Sequence, residues 1–471
     1  MLKKFLEFAS GNFIALFLGL ISSPIITRLI MPEEMGKFSL FNTITSVLFL
    51  FVMCGMDQAY VRYYNAENEV GKIDILKDCI GVSCAVGSFV SIIIMVFYPF
   101  VSDYIVGTRS FLVCLLLVLN IFSSILQRFA LLEVRMSMHA KFYSVLNIWH
   151  KSSYIMLVFG FYSFLKNNSY VLMIATVGSN IACWIVCVMK SKQIWLRILG
   201  CFKFSRNVKK LLVYGFPFVF SNTINWIFEY MDRISIRHYC GFSEIGLYSA
   251  ASTIVALLTA CQLAFSSFWV PVAYEKYEND VNCNSFFVRV NRIVSYCMIM
   301  IAVAMVAFKD LIIILLGPEY KNAMFIFPFL TFMPIMYTIS ETTVMGINFK
   351  KKTHMHIYVA TASAVVNLIG NTILVPLYGA RGAAISTGLS YVVFFVVRTV
   401  ISRKLYKVNY KMKSMWISLL LLFFLTIYSS FNSFNTTTLL IAIVDFILIT
   451  VMYKDVVLTA VTAARAYIEK R

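Results

Sequence analysis

Stretches of about twenty apolar residues recur along the whole chain, separated by short polar connectors. A helix needs roughly 20 apolar residues to cross a bilayer, because hydrocarbon offers backbone amides no partner and the segment must satisfy them internally. The pattern predicts about fourteen spans, at residues 8–30, 38–60, 79–101, 110–132, 143–165, 170–189, 211–234, 245–271, 293–316, 323–347, 355–376, 382–401, 415–431 and 437–453. The fold class is therefore an all-α integral membrane protein.

The halves of the chain echo each other. Glu34-Met-Gly36-Lys-Phe38-Ser39, after the first span, aligns with Glu244-Ile-Gly246-Leu-Tyr248-Ser249, after the seventh. Six spans separate the copies, so both run in the same direction through the membrane, as parallel repeats do. The expected organisation is a six-helix lobe (1–190), a basic linker (191–210), a second six-helix lobe (211–402) and a terminal helix pair with a tail (403–471). Two such lobes enclose a central cleft. In the linker, Ile194, Trp195, Ile198, Leu199 and Phe202 recur at helical spacing opposite Arg197 and Lys203. That spacing fits a helix lying on an anionic leaflet, or else a solvated connector.

Composition agrees with the bilayer and changes the reading of the charge. With 60% hydrophobic and 13% charged residues, the chain has too little polar surface for a soluble protein. Its net charge of +19 is not a nucleic-acid footprint, because Lys and Arg gather in alternate connectors between apolar runs. That alternation predicts an even number of spans and places both termini in the cytoplasm. Lys3 and Lys4 before an apolar run imitate a secretory signal, but no small-residue cleavage site follows and the segment reads as a retained first span. Of the eleven cysteines, Cys54, Cys114, Cys183 and Cys261 lie inside apolar runs without any CxxC pair, which fits packing rather than disulfide or zinc chemistry.

Polar residues inside the spans are the candidate chemistry, since an ionised side chain there costs roughly 2.5–3.5 kcal/mol unless it faces protein or water. Span seven carries the densest set. Asn222, Asn225, Glu229, Asp232, Arg233 and Arg237 fall within one helical arc of about 140°. Glu229 and Arg233, at i and i+4, either neutralise each other or hold the arginines toward an anionic substrate. Span five places Asn147, His150, Lys151 and Tyr154 on one face, and span ten aligns Thr338, Glu341, Thr342 and Asn348. Glu341 is either a coupling carboxylate or a structural acceptor. Asn120, Ser124 and Gln127, like Ser363, Asn367 and Asn371, fit interhelical hydrogen bonding. His354 and His356 have no third ligand nearby, and the chain has no GxxxxGK[ST] phosphate loop, so no metal or cofactor is expected.

The segment Arg28-Leu-Ile-Met-Pro-Glu-Glu-Met-Gly-Lys-Phe, with Cys54–Tyr64 and the run from Asp232 to Ser252, resembles the polysaccharide-unit flippases. These form part of the multidrug/oligosaccharidyl-lipid/polysaccharide exporter superfamily. The resemblance implies two six-span lobes plus two extra spans. It also implies a substrate of undecaprenyl-pyrophosphate-linked oligosaccharide, moved across a bacterial inner membrane by alternating access. Arg28, Lys151, Arg233 and Arg237 are then expected at the pyrophosphate and adjoining sugars, with Trp226 stacking on a sugar ring. A polysaccharide polymerase and chain-length proteins are the partners it implies. The rival readings are a cation-coupled exporter using Glu229 and Glu341, and a membrane polymerase or ligase. The latter class needs a long outward loop, which this chain lacks.

Overall fold

The computed structural model describes residues 2–66, 68–199, 208–279, 284–410, 412–459 and 462. It leaves out the side chains of residues 2–13, 16, 69, 199, 221, 224, 225, 228 and 229. Most of the described residues are helical, and none of them forms a strand. The chain divides into two compact units, Met1–Arg233 and Ile234–Arg471.

The first unit contains α1 (Leu2–Leu29), α2 (Pro32–Met53), α3 (Met56–Tyr63), α4 (Glu69–Val96) and α5 (Tyr98–Val106). It continues through α6 (Phe111–Met136), α7 (Ala140–Leu165), α8 (Ser169–Lys190), α9 (Lys192–Leu199) and most of α10 (Val208–Tyr239). The chain passes from one unit to the other inside α10. The second unit holds α11 (Phe242–Asn279), α12 (Asn284–Ala307), α13 (Lys309–Ile313), α14 (Phe327–Leu330), α15 (Phe332–Thr343) and α16 (Met345–Phe349). It ends with α17 (Met355–Tyr378), α18 (Ala380–Leu405), α19 (Lys413–Phe431) and α20 (Thr436–Met452).

Every predicted span falls on one of these helices or helix runs. Among the described residues nine helices are long and apolar enough to cross a membrane, or ten if one bent pair is a single span. Four spans are interrupted among the described residues, the third at Phe97, the ninth at Phe308, and the second and tenth more sharply. The second ends at Met53 rather than running to residue 60, because Cys54 and Gly55 take left-handed backbone angles (φ 46° and 70°) before α3 begins. A side chain on Gly55 would collide with the Gly215 carbonyl of α10, so glycine is required both by φ and by the close approach. The tenth is broken: the 3-10 helix Pro318–Phe325 meets the run Phe327–Thr343 at 57°. Prolines at Pro318, Pro328 and Pro334 favour such breaks.

The units repeat each other in atomic detail. Glu34 accepts a hydrogen bond from the Ser169 amide at the start of α8 (2.8 Å), and Glu244 accepts one from the Ala380 amide at the start of α18 (2.9 Å). Each carboxylate thus caps the N-terminus of a helix about 135 residues downstream, where the helix dipole favours it. Phe97 and Phe308 break α4 and α12 with nearly equal angles (φ −98°, ψ 23° and φ −96°, ψ 22°). Lys166 and Gly379 end α7 and α17 with another shared conformation (φ 52°, ψ −138° and φ 58°, ψ −136°).

Each unit has its own apolar interior. In the first, Tyr60 packs edge-on against Tyr64 and Phe129. The helix in the linker joins this core: Trp195 and Ile198 are buried, with Trp195 edge-on to Trp184 of α8. Its apolar side therefore meets protein, leaving Leu196 and Arg197 exposed. In the second unit Trp269, Phe287 and Phe349 form an aromatic cluster, and Trp269 donates to the Glu341 carbonyl (2.9 Å).

Candidate functional site

In the first unit a buried polar chain crosses four helices. His150 of α7 meets the side-chain oxygen of Asn180 on α8 (3.0 Å), and Asn180 donates to Asn120 on α6 (3.2 Å). Asn120 donates in turn to Thr45 on α2 (3.2 Å). Asn180 also reaches Ser124, which was expected beside Asn120. Such amides and hydroxyls satisfy one another where water is absent, and so fix the mutual positions of the helices. The next residue after Thr45, Ser46, accepts a hydrogen bond from the indole of Trp226 on α10 (3.1 Å).

Of the cations expected from the sequence, Lys151 adjoins this chain. Lys151, the residue after His150, is exposed in the middle of α7 and has no hydrogen-bond or ion-pair partner among the described residues. Arg28 is exposed near the end of α1, which packs along α7. Arg233 places its guanidinium 5.3 Å from the centre of the Tyr230 ring, and that ring stacks on Trp226 at 5.5 Å. An aromatic and cationic stripe thus runs along one part of α10. Asp232 is buried. The side chains of Glu229 and Asn225 lie outside the described residues.

In the second unit Arg237 lies over the Phe242 ring at 4.3 Å. Glu341 is buried in an ion pair with Arg398 of α18 (2.8 Å), whose guanidinium also donates to Ser340 and faces the rings of Tyr337 and Phe394. Sequence reasoning missed Arg398, because it sits close enough to the Arg403–Lys404 cluster to be grouped with the connector. A signal was available: Arg398 lies one helical turn before Ser402, well inside an apolar run. Asn367 and Asn371 of α17 are buried and bonded to one another, with Asn367 accepting from Asn371 and donating to Thr387 of α18. His356 reaches the Asn348 side chain (3.3 Å), and no cluster of three metal-ligating side chains occurs among the described residues.

These features define a class: a multi-pass, all-α membrane protein of transporter architecture, with two internally similar units and polar groups inside its spanning helices. Residues 25–325 match the polysaccharide biosynthesis protein family, and the chain belongs to that family. An uncharacterized membrane protein of Methanocaldococcus jannaschii is 25% identical over 425 residues, covering 82% of this chain and 81% of that one. Among solved structures, the lipid II flippase MurJ in an inward closed conformation superimposes with a TM-score of 0.71. That match has 17% identity and covers 96% of this chain and 99% of the flippase. An inward-facing multidrug resistance transporter of the MATE family, in the MOP superfamily, matches with a TM-score of 0.59 at 15% identity, over 84% of this chain and 94% of the transporter. The fold is thus shared by a lipid flippase and a drug exporter.

Proposed function

We propose that the protein translocates an undecaprenyl-pyrophosphate-linked oligosaccharide from the cytoplasmic to the outer leaflet of a bacterial inner membrane, with both termini cytoplasmic. Membership of a polysaccharide biosynthesis family supports the glycan, and the likeness to a lipid II flippase supports a lipid-borne substrate. The observation that carries the reading is the placement of Lys151 in the middle of α7, exposed and without a carboxylate partner among the described residues, and of Arg233 beside Tyr230 on α10, both within segments that the sequence predicts as spans. An unpaired cation at that depth is costly unless it faces water or an anion. A pyrophosphate with sugars cannot enter hydrocarbon, and a polyprenyl tail cannot leave it, so the carrier must offer a cationic, wet path beside lipid. Trp226 and Tyr230 supply flat apolar faces of the kind sugar rings stack on. Alternating access, with two lobes rocking about the head-group path, is the proposed mechanism. The function is transport rather than catalysis, and a polysaccharide polymerase and chain-length proteins are the proposed partners.

Replacing Arg233 with Ala, or Lys151 with Ala, in a strain dependent on this protein should abolish surface glycan while protein levels in the membrane stay normal. Normal glycan in both variants would refute the assignment. The MATE-like fold sustains a second reading, a cation-coupled exporter of small molecules. It gains less from the residues, because Glu341, its leading coupling carboxylate, is already bound to Arg398. Drug resistance conferred on a sensitised host, with no effect on glycan, would favour it.

A further inference from the structure

Two adjoining hollows open at one end of the second unit, and Asn409 lines both. The first, of about 620 Å³, lies between α12 and the segment after α20, with Arg289, Arg292, Ile293 and Asp455 in its wall. The second, of about 600 Å³, is lined by Val400, Arg403, Lys404, Lys407 and Val408 at the end of α18.

The charges in the two walls do not balance. Arg292 is bidentate to Asp455, with one of the two bonds at 2.8 Å. The guanidinium holds that carboxyl below the usual carboxylate range. Arg289, Arg403, Lys404 and Lys407 are all exposed, and none has a carboxylate partner among the described residues. Four cations therefore remain around one rim. On the membrane side, the rim is continuous with Ile293 and Val400, apolar side chains that are exposed on spanning helices.

We propose that this rim binds the phosphodiester head group of an anionic phospholipid whose acyl chains lie along Ile293 and Val400. Unpaired cations recognise a phosphate oxyanion from any source. Their position at the ends of spanning helices, beside exposed apolar side chains, favours the phosphate that arrives with a lipid tail. The site is separate from the cations proposed for transport, all of which lie on other helices.

The test uses the full-length protein, reconstituted into equimolar phosphatidylglycerol and phosphatidylcholine and then extracted, with retained lipid quantified by mass spectrometry. Wild type should retain phosphatidylglycerol in preference. Lys404→Gln/Lys407→Gln should lose about 25-fold of that preference, at roughly fivefold for each of the two cations removed. Lys404→Arg/Lys407→Arg should keep it. These side chains are exposed, so an unchanged melting temperature will show that the Gln variant is folded, and Arg289→Gln tests the same rim from α12. Equal retention of the two lipids, or a Gln variant that binds as wild type does, would overturn the proposal. Displacement of phosphatidylglycerol by an equal concentration of inorganic phosphate would assign the rim to a soluble anion instead.

Discussion

Arg398 and Glu341 show how a charge is tolerated inside a membrane protein. Both are buried and joined at 2.8 Å, and the guanidinium finds a hydroxyl and two ring faces besides. Arg398→Ala would strand a carboxylate in a dry site, and unfolding in detergent should show a loss of about 3–5 kcal/mol. Replacing both partners together, Arg398→Met with Glu341→Leu, should cost far less, since the pair's attraction largely offsets its own desolvation. A double variant as unstable as the single one would show that the pair is more than self-compensating. The sequence left two roles open for Glu341, because a carboxylate in a span looks alike whether paired or free. Its partner lies 57 residues away and becomes visible only when α15 and α18 pack. Asn180 was overlooked for the same reason. One amide in an apolar run carries no signal until the helices bring Asn120 and His150 to it. Asn180→Leu should break that chain and cost about 1–3 kcal/mol through the polar groups left unpaired, read as a lower melting temperature.

The repeat is most visible in the turns between helices. Glu34 and Glu244 were matched on sequence alone, and their roles as equivalent helix caps explain why that short segment recurs. The turns after α7 and α17 were not legible, because one uses Lys166 and the other Gly379 for the same positive φ. Backbone geometry has been kept while the residue has not. Lys in that conformation carries about 1–3 kcal/mol of strain that glycine avoids. Lys166→Gly should therefore raise the melting temperature slightly, and Gly379→Lys should lower it, because a Cβ there would also approach the Glu244 carboxylate to 2.8 Å. A fall for the first variant would contradict the matched turns. The break between α2 and α3 was missed because residues 38–60 read as one span, although Gly55, Asp57 and Gln58 interrupt its apolar run. Hydropathy reports where a segment sits, not whether its backbone turns within it. At Gly55, the approach of Gly215 leaves no room for a side chain. Gly55→Ala should thus displace the start of α10 and sharply reduce transport.

At the scale of the molecule, composition and spacing revealed the membrane and the helical fold, because both follow from the requirement that backbone and charge be satisfied in lipid. The functional site was legible only in part. Lys151 and Arg233 stand out in sequence as charges within spans, whereas the hydrogen-bonded chain behind Lys151 and the Trp226–Ser46 link depend on packing. Transport as proposed requires those cations to serve an anionic, lipid-borne head group. The most direct measurement reconstitutes the purified protein in liposomes carrying a fluorescent undecaprenyl-pyrophosphate oligosaccharide on one leaflet. Its appearance on the other leaflet is then followed with a membrane-impermeant quencher. Crossing is expected with wild type, and loss of at least about tenfold in rate with Arg233→Ala or Lys151→Ala, the effect of removing one charge-assisted contact worth about 1.4 kcal/mol or more. Equal rates for wild type, both variants and protein-free liposomes would contradict it.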